Sequence, residues 1–411
     1  MKDKKILALL TEGKEFTHEQ LTIIIRGINV ELPIEKIKIY ADPKFDHRQM
    51  QEIELGIEHG LSIDQIMVYT NPAFCADTYK CNNQMQQIRI GFEKGLTMSQ
   101  VRLYADPKFE SGQMLQIRKG LENGLSENQI KIYADPKFDF NQMDRIRFGF
   151  EEGLTLEQTR VYADPKFDFE EMRQVITGFI NNLPIEQVKI YADNRFGKNQ
   201  MREIRNGFLN GLSEEQICIY AKPEFDPIQM FEIRNGIQHK LNTEQLQLYA
   251  NPQFTREQIW EIQEGIKQGL SVQQIQLYAD PKFDETQMNE ILSGFLAGLT
   301  MEQVQPYADA SMSQYEMDSY RTYIEKNGEN EYIQFLKRYR ALDLPMKYAN
   351  ILAQAAESGI SLNKLDYIAE KNFSIEQTKF LLDHLQKDIA TKTNEETHKY
   401  AGKNKGDIKD R

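Results

Sequence analysis

Residues 133–154 decide the fold; they read YADPKFDFNQMDRIRFGFEEGL. Close copies of this stretch follow one another along the chain at a spacing of 29 residues, with one spacing of 35 between Tyr69 and Tyr104. The first residue of the copies is a tyrosine at Tyr40, Tyr69, Tyr104, Tyr133, Tyr162, Tyr191, Tyr220, Tyr249, Tyr278 and Tyr307. Self-similarity at a fixed period of this length predicts a stacked repeat protein.

Each repeat, numbered from its tyrosine as position 0, encodes two helices. Asp139 at position 6 and Ser126 at position 22 of the preceding repeat are each followed three residues later by glutamine. This spacing predicts a capping box and hence a helix start at both places. Glycine at position 20, as in Gly153, predicts the end of the long helix in a left-handed residue. The sequence therefore predicts a long helix from position 6 and a short helix from position 22.

The apolar residues of the repeat indicate how these helices pack. Met143, Ile146 and Phe150 share one face of the long helix, and Ile130 and Tyr133 lie on the short helix. Neither helix can bury its face alone, so we expect an all-α fold, an α-solenoid of about twelve helix-pair repeats forming a superhelix. The expected organisation is a cap segment (1–15), a regular array (16–307, with an insertion near 75–81), degenerate repeats acting as a C-terminal cap (308–389) and a disordered polar tail (390–411).

Two further invariant positions receive structural interpretations. Glycine at position 16, as in Gly149, lies inside the long helix, where it costs about 0.5–1 kcal/mol relative to alanine. We attribute this glycine to close approach of a neighbouring helix backbone, with a ligand touching the backbone as the alternative. Phenylalanine at position 5, as in Phe138, is expected to be a wedge between helices.

The positions that vary between repeats are the candidates for function. Positions 7, 11, 15 and 18 form a stripe on the long helix roughly opposite the apolar face, and position 11 carries the single tryptophan, Trp260. Tryptophan and arginine are common interface anchors, so this stripe is a candidate surface for a protein partner. Packing against the neighbouring long helix is the alternative. The candidate residues are Phe140, Phe148, Phe169, Arg173, Arg202, Phe231 and Trp260.

A second set of repeated positions is basic in the first part of the chain. Position 14 is often arginine and position 27 is often basic, and acidic residues lie close by, so solvent-exposed ion pairs are the simplest interpretation. The alternative is nucleic-acid binding along this ladder, which is disfavoured by a net charge of −12. A third possibility is an acidic decoy for a DNA-binding host protein. The ladder consists of Arg89, Arg102, Arg118, Lys131, Arg147, Arg160, Lys189, Arg205 and Arg234.

No sequence pattern points to catalysis, a cofactor or a metal. The six histidines are scattered, without metal-ligand spacing or a glycine-rich phosphate loop, so we expect a non-enzyme without a cofactor. Three cysteines are too few for a disulfide framework, which favours a reduced, cytoplasmic setting. Cys75 and Cys81 flank the insertion, and we expect a surface loop there rather than a redox or zinc site. No membrane contact is expected, because the early apolar run 6–10 is too short to span a bilayer.

The repeat resembles one found in proteins of gut Firmicutes, many of which are associated with conjugative or other mobile elements. The resemblance covers residues 16 to about 307 and is carried by the motif YADPKFD..QM..IR.GFE.GL, seen at residues 133–154. It implies a bacterial cytoplasmic protein. It brings no activity and no site residues to this chain.

Overall fold

The computed structural model of this protein describes residues 2–76, 83–328, 331–342, 344–371 and 373–387. Over these residues the protein is all-α, as the sequence predicts, with twenty-six helices and no strand. None of these helices is both long enough and apolar enough to cross a membrane. Cys81 and the polar tail 390–411, which we expect to be disordered, lie outside the described residues. The chain divides into two compact units, Met1–Pro223 and Glu224–Arg411.

The first unit begins with helix α1, Lys2–Thr11, and then alternates long and short helices. The long helices are α2 His18–Asn29, α4 His47–Glu58, α6 Gln84–Glu93, α8 Ser111–Glu122, α10 Phe140–Glu151, α12 Phe169–Ile180 and α14 Lys198–Leu209. The short helices are α3 Ile34–Tyr40, α5 Ile63–Tyr69, α7 Met98–Arg102, α9 Glu127–Tyr133, α11 Leu156–Arg160, α13 Ile185–Tyr191 and α15 Glu214–Tyr220. Each long helix from α2 to α12 contacts the next long helix, and each from α2 to α14 contacts the short helix that follows it.

The second unit continues the alternation with less regular lengths toward its end. Its long helices are α16 Pro227–Gln238, α18 Arg256–Lys267, α20 Glu285–Leu296, α22 Gln314–Asn327, α24 Met346–Glu357 and α26, residues 375–387. Its short helices are α17 Thr243–Gln247, α19 Val272–Gln276, α21 Met301–Val304, α23 Glu331–Arg340 and α25 Leu362–Glu370. The short helices after residue 307 are longer than those before it, which agrees with the degenerate repeat sequence in this part of the chain.

The predicted helix boundaries are confirmed by the caps. Asp139 accepts hydrogen bonds from the backbone N–H groups of Asn141 and Gln142 at the start of α10, and its own N–H donates to the Gln142 side chain. Ser126 caps α9 in the same reciprocal way. Gly153 has a φ of 88°, so it is the left-handed residue that ends the long helix.

The core consists of the residues that the repeat pattern predicts. Met143 and Ile146 of α10 are fully buried, and so are Ile130 and Tyr133 of α9. The position-5 residue Phe138 is buried as well, which agrees with a wedge between helices. Burial of an apolar side chain of this size stabilises the fold by about 1.5–3 kcal/mol.

The glycine at position 16 accommodates a side chain and not the neighbouring helix backbone expected from the sequence. A β-carbon on Gly149 would come closer than 3.0 Å to the hydroxyl oxygen of Tyr162, the tyrosine that opens the next repeat. The nearest atoms are therefore those of a side chain and not of a neighbouring helix backbone, so that interpretation is wrong. The same contact recurs at position 16 of every regular repeat from Gly27 to Gly294. The glycine makes room for the tyrosine hydroxyl against the long helix.

A second joint between repeats uses the glutamine at position 9. The side-chain amide of Gln142 donates to the backbone carbonyls of Pro165 and Phe167, at nitrogen–oxygen distances of 3.1 and 2.7 Å. These carbonyls belong to the loop of the next repeat. The carbonyl oxygen of the same side chain accepts the N–H of Asp139. One glutamine therefore caps its own helix and fixes the neighbouring loop, a role that the capping pattern alone does not reveal.

Candidate functional site

In the first unit, the candidate partner residues of α10 and α12 lie at the surface. Phe140 and Phe169, both at position 7, have 47% and 37% of their surface exposed. Arg173 is exposed one turn beyond Phe169, because it lies on the opposite side of α12 from the buried Met172 stripe. Phe148 is half-buried. The aromatic residues at position 7 are thus more exposed than Phe148 at position 15.

Phe140 rests on the preceding long helix. A β-carbon at Gly112 of α8 would lie 3.2 Å from the β-carbon of Phe140, so the absence of a side chain at Gly112 forms the seat of this ring. The ring therefore packs laterally on one face and is open to solvent on the rest. Lateral packing and surface exposure, which the sequence presents as alternatives, both hold at this residue.

In the second unit, the anchors Phe231 and Trp260 are held in place by charged neighbours. Both residues are at position 11 of their repeats, on α16 and α18, and they are 42% and 45% exposed. The guanidinium of Arg256 lies 4.3 Å from the centre of the Trp260 ring, and the indole N–H donates to Glu232 at 3.3 Å. A cation over an aromatic ring at an exposed site contributes about 0.5–1 kcal/mol. These contacts fix the orientation of an indole that still presents almost half its surface to solvent.

Arg173 and Arg202, the two basic candidates at position 11, lie on the adjacent helices α12 and α14. Their side chains are 55% and 48% exposed. Arg173 pairs with Glu170 at 2.7 Å and Arg202 with Glu203 at 3.3 Å. Exposed pairs of this kind contribute little to stability, so both arginines can exchange their present neighbours for a ligand.

The basic ladder separates into two structurally different rows. At position 14, Arg89, Arg118 and Arg234 are buried, and Arg147 and Arg205 are half-buried, so the expectation of solvent-exposed ion pairs is wrong for this row. The four arginines of the first unit lie between successive long helices, because each donates to a partner at position 12 of the preceding repeat. For example, Nε of Arg89 lies 2.8 Å from Glu52, and Nε of Arg147 lies 3.0 Å from Gln116.

The position-14 arginines also pair along their own helix. Arg89 contacts Glu93 at 2.5 Å, Arg118 contacts Glu122, and Arg147 contacts Glu151 at 2.6 Å, each four residues on. Burial opposes the charge of Arg89, and the carboxylates of Glu52 and Glu93 outweigh it, so the pKa of Arg89 lies above its ordinary value. Arg89, Arg118 and Arg147 are therefore neutralised by carboxylates of the protein itself.

The second row, at position 27, remains at the surface of the short helices. Lys131 and Lys189 are half or more exposed and pair with Glu127 and Glu186 on the same helix, at 3.6 and 3.0 Å. Arg102 and Arg160 are also exposed. The nine ladder residues therefore do not form one continuous basic surface, because those at position 27 are exposed and those at position 14 are buried or half-buried.

The residues at position 12 form a set of acceptors that the pattern within one repeat does not reveal. In six repeats the position-12 residue is glutamine or glutamate and accepts from the position-14 residue of the following repeat. The set comprises Glu52, Gln87, Gln116, Gln174, Glu232 and Glu290. The sequence does contain a signal: an oxygen acceptor at position 12 accompanies a donor 31 residues later, or 37 residues later for Glu52 and Arg89 across the insertion. The helical wheel of one helix does not show this pairing.

The cysteines depart from expectation. Cys75 forms a disulfide bond, so the expectation of reduced cysteines is wrong for this residue. Cys218 on α15 is a free, exposed thiol. Within the described part of the chain, no group of three or more His, Cys, Asp or Glu side chains is arranged to hold a metal ion.

Comparisons with known proteins add no identification. No protein-family model matches the chain, and no curated protein matches it.

Proposed function

We propose that this chain is a non-enzymatic α-solenoid of about twelve helix-pair repeats, wound into a superhelix, which binds a protein partner through the variable face of its long helices. The observation that carries the proposal is the exposure of Phe140 and Phe169 in the first unit and of Phe231 and Trp260 in the second. All four belong to positions that vary between repeats, while the repeated apolar positions, such as those of Tyr133 and Met143, are buried.

Physical arguments support this choice of surface. When a partner binds, exposed large aromatic side chains bury apolar surface, which favours binding. They have few rotamers, so the loss of side-chain entropy is small. The ring of Trp260 is already oriented by Arg256 and Glu232, which reduces the ordering cost further. Repeat arrays present such residues side by side on a long surface, which suits an extended partner.

A capture experiment tests the proposal. The chain is immobilised and exposed to an extract of its native host, with nuclease added, and the bound proteins are compared with those captured by a Phe231→Ala/Trp260→Ala variant. We expect the variant to lose a specific partner, because each anchor contributes about 2 kcal/mol or more when it lies at the centre of an interface. An unchanged set of captured proteins refutes this face as the binding surface.

A matched variant controls for loss of apolar surface in general. Ile63 and Met67 of the short helix α5 are 50% and 56% exposed. Ile63→Ala/Met67→Ala removes a comparable exposed area from a different class of helix. We expect this variant to capture the same partner as the parent chain.

Nucleic-acid binding through the basic ladder ranks below partner binding because the position-14 arginines of the first unit are already paired between long helices. Its test is a gel-shift assay with single-stranded and duplex DNA at low salt, using charge reversal at the exposed Arg102 and Arg160. A salt-dependent shift that disappears in the variant would promote this function over the first. The decoy alternative instead predicts a nuclease or restriction factor that co-purifies with the chain and is displaced by DNA.

The cellular setting is part of the proposal. From the resemblance of the repeat we infer a bacterial, cytoplasmic protein of a mobile element. The cysteines provide a test of this setting, because Cys75 forms a disulfide bond and disulfide bonds are rare in reducing compartments. Thiol titration of the protein purified without reductant distinguishes a reducing from an oxidising compartment. Three reactive thiols fit the cytoplasmic setting, and one reactive thiol, that of Cys218, fits an oxidising compartment.

A further inference from the structure

Between the long helices α12 and α14 of the first unit lies a groove of about 350 Å³ with a strongly cationic lining. Arg173 comes from α12, and Lys198, Arg202 and Arg205 come from α14. The only carboxylate in the lining is Glu170. The net charge of the whole chain is −12, so the net charge of this groove is opposite in sign to that of the protein.

Arg205 lacks the carboxylate partner that other position-14 arginines have. Arg118 and Arg147 pair with glutamates four residues on, but the residue four positions after Arg205 is Leu209. Nη1 of Arg205 donates to Gln174 at 2.5 Å, and its buried Nε has no hydrogen-bond partner among the described residues. A half-buried guanidinium without a carboxylate retains capacity for an anion.

The neighbouring cations are close enough to affect Arg205. Burial first, and then the charges of Arg202 and Arg173, lower the pKa of Arg205, while Tyr191 and Glu203 act in the opposite direction. The corresponding position of α12 is Ile180, so no position-18 carboxylate comes from that helix either. Glu170 and Glu203 pair with Arg173 and Arg202, respectively. The charge of Lys198 acts on Glu171 of α12, but neither Lys198 nor Arg205 forms an ion pair with a described residue.

We propose that this groove is a binding site for a tetrahedral oxyanion of the phosphate class, either inorganic phosphate or a phosphomonoester. Guanidinium groups donate two parallel hydrogen bonds to a phosphate, and three of them converge here together with one ammonium group. A dianion matches several converging cations better than a single carboxylate does. The site goes beyond partner capture, and phosphate binding can be measured in the absence of any protein partner.

Isothermal titration of the full chain with inorganic phosphate at constant ionic strength tests the site, with phenyl phosphate as the monoester and acetate as the monoanion. We expect saturable binding of both phosphates and none of acetate. Leu209→Glu supplies the carboxylate that other repeats carry, and Arg202→Gln removes an exposed cation. Each is expected to weaken binding by about tenfold or more.

Lys131→Gln, which removes an exposed cation from the short helix α9, is the matched control and is expected to leave phosphate affinity unchanged. Thermal unfolding of each variant confirms that it is folded, and Arg202→Gln decides the test if Leu209→Glu does not fold. Binding of acetate as tight as that of phosphate, or no binding of phosphate, overturns the proposal. So does phosphate affinity that Arg202→Gln leaves unchanged.

Discussion

A β-carbon on Gly178 would come closer than 3.0 Å to the hydroxyl oxygen of Tyr191, and both residues are buried in the first unit. The two lie thirteen residues apart, on α12 and on the short helix α13 that follows it. A tyrosine and a glycine therefore form a lock between one repeat and the next. The lock explains why a residue that weakens helices recurs in the middle of each long helix.

Gly178→Ala is expected to destabilise the protein although alanine is the better helix former. The propensity gain is about 1 kcal/mol, and overpacking a closed core costs about 1–3 kcal/mol, so we expect a net loss. Tyr191→Phe removes the hydroxyl, which has no hydrogen-bond partner among the described residues, and is expected to be nearly neutral. Thermal unfolding followed by circular dichroism measures both variants.

The double variant distinguishes this lock from a general effect of alanine. Without the hydroxyl, the nearest ring carbon of residue 191 lies 3.2 Å from the new β-carbon, which requires only a small shift. We expect Gly178→Ala/Tyr191→Phe to unfold near the parent temperature. Gly153→Ala is the control, because its cost comes from a φ of 88°. The lock is refuted if Tyr191→Phe fails to rescue Gly178→Ala.

The glutamine joint predicts a stabilising substitution where the repeat departs from its pattern. Position 9 of α12 is Glu171, which accepts the N–H of Asp168 at 2.9 Å. A carboxylate cannot donate to the carbonyls of the following loop as Gln142 does. Glu171→Gln restores the donor and is expected to stabilise the protein by about 1 kcal/mol at neutral pH. The reverse change, Gln142→Glu, is the control and is expected to destabilise it.

The pH dependence of this effect has a definite sign. Burial raises the pKa of Glu171 above its ordinary value of 4.5. The protonated form is therefore favoured in the folded state, and the stability it contributes is present below pH 4.5 and lost as the pH rises through the folded pKa. We expect the stability difference between Glu171→Gln and the parent to be small at about pH 4 and to widen by about pH 7. A difference that shrinks with rising pH contradicts this assignment.

The acceptor at position 12 predicts two different outcomes for one residue. Glu52 is buried, accepts from Arg89 at 2.8 Å and also accepts from Asn83 at 2.6 Å. Other repeats place glutamine at this position, so Glu52→Gln keeps an acceptor and is expected to cost about 1 kcal/mol or less. Glu52→Leu leaves Arg89 buried with one carboxylate fewer and is expected to cost about 3 kcal/mol. Urea unfolding compares them, and equal costs refute a specific acceptor role.

The sequence was sufficient for the elements and the core because those depend on local spacing. Capping residues such as Asp139 determine where a helix begins, and the period of Met143 and Ile146 determines which face is buried. Both signals act within one helix, and their repetition along the chain multiplies the evidence. The exposure of Trp260 followed from the same periodicity.

The contacts between repeats were less accessible to sequence reasoning. Acidic residues close in sequence predict a solvent-exposed ion pair for Arg89, but its acceptor Glu52 lies on the preceding long helix. The purpose of Gly178 depends on where the Tyr191 ring enters the neighbouring helix. Such relationships require the packing geometry of two helices, which a pattern within one helix does not contain. The cationic groove is defined in the same way, by Arg205 together with a helix one repeat away.

The single tryptophan provides a direct measurement of the proposed binding face. Trp260 is 45% exposed, with the Arg256 guanidinium 4.3 Å from its ring centre. We expect fluorescence emission between that of a buried and a fully hydrated indole, and partial quenching by acrylamide. Arg256→Ala removes a contact worth about 0.5–1 kcal/mol and uncovers one face of the ring, so quenching should become more efficient. The Trp260→Phe variant gives the fluorescence of the tyrosines alone, which is subtracted as background. Quenching that Arg256→Ala leaves unchanged would mean that the guanidinium does not shield the ring in solution, and a preordered anchor at this position would then be ruled out.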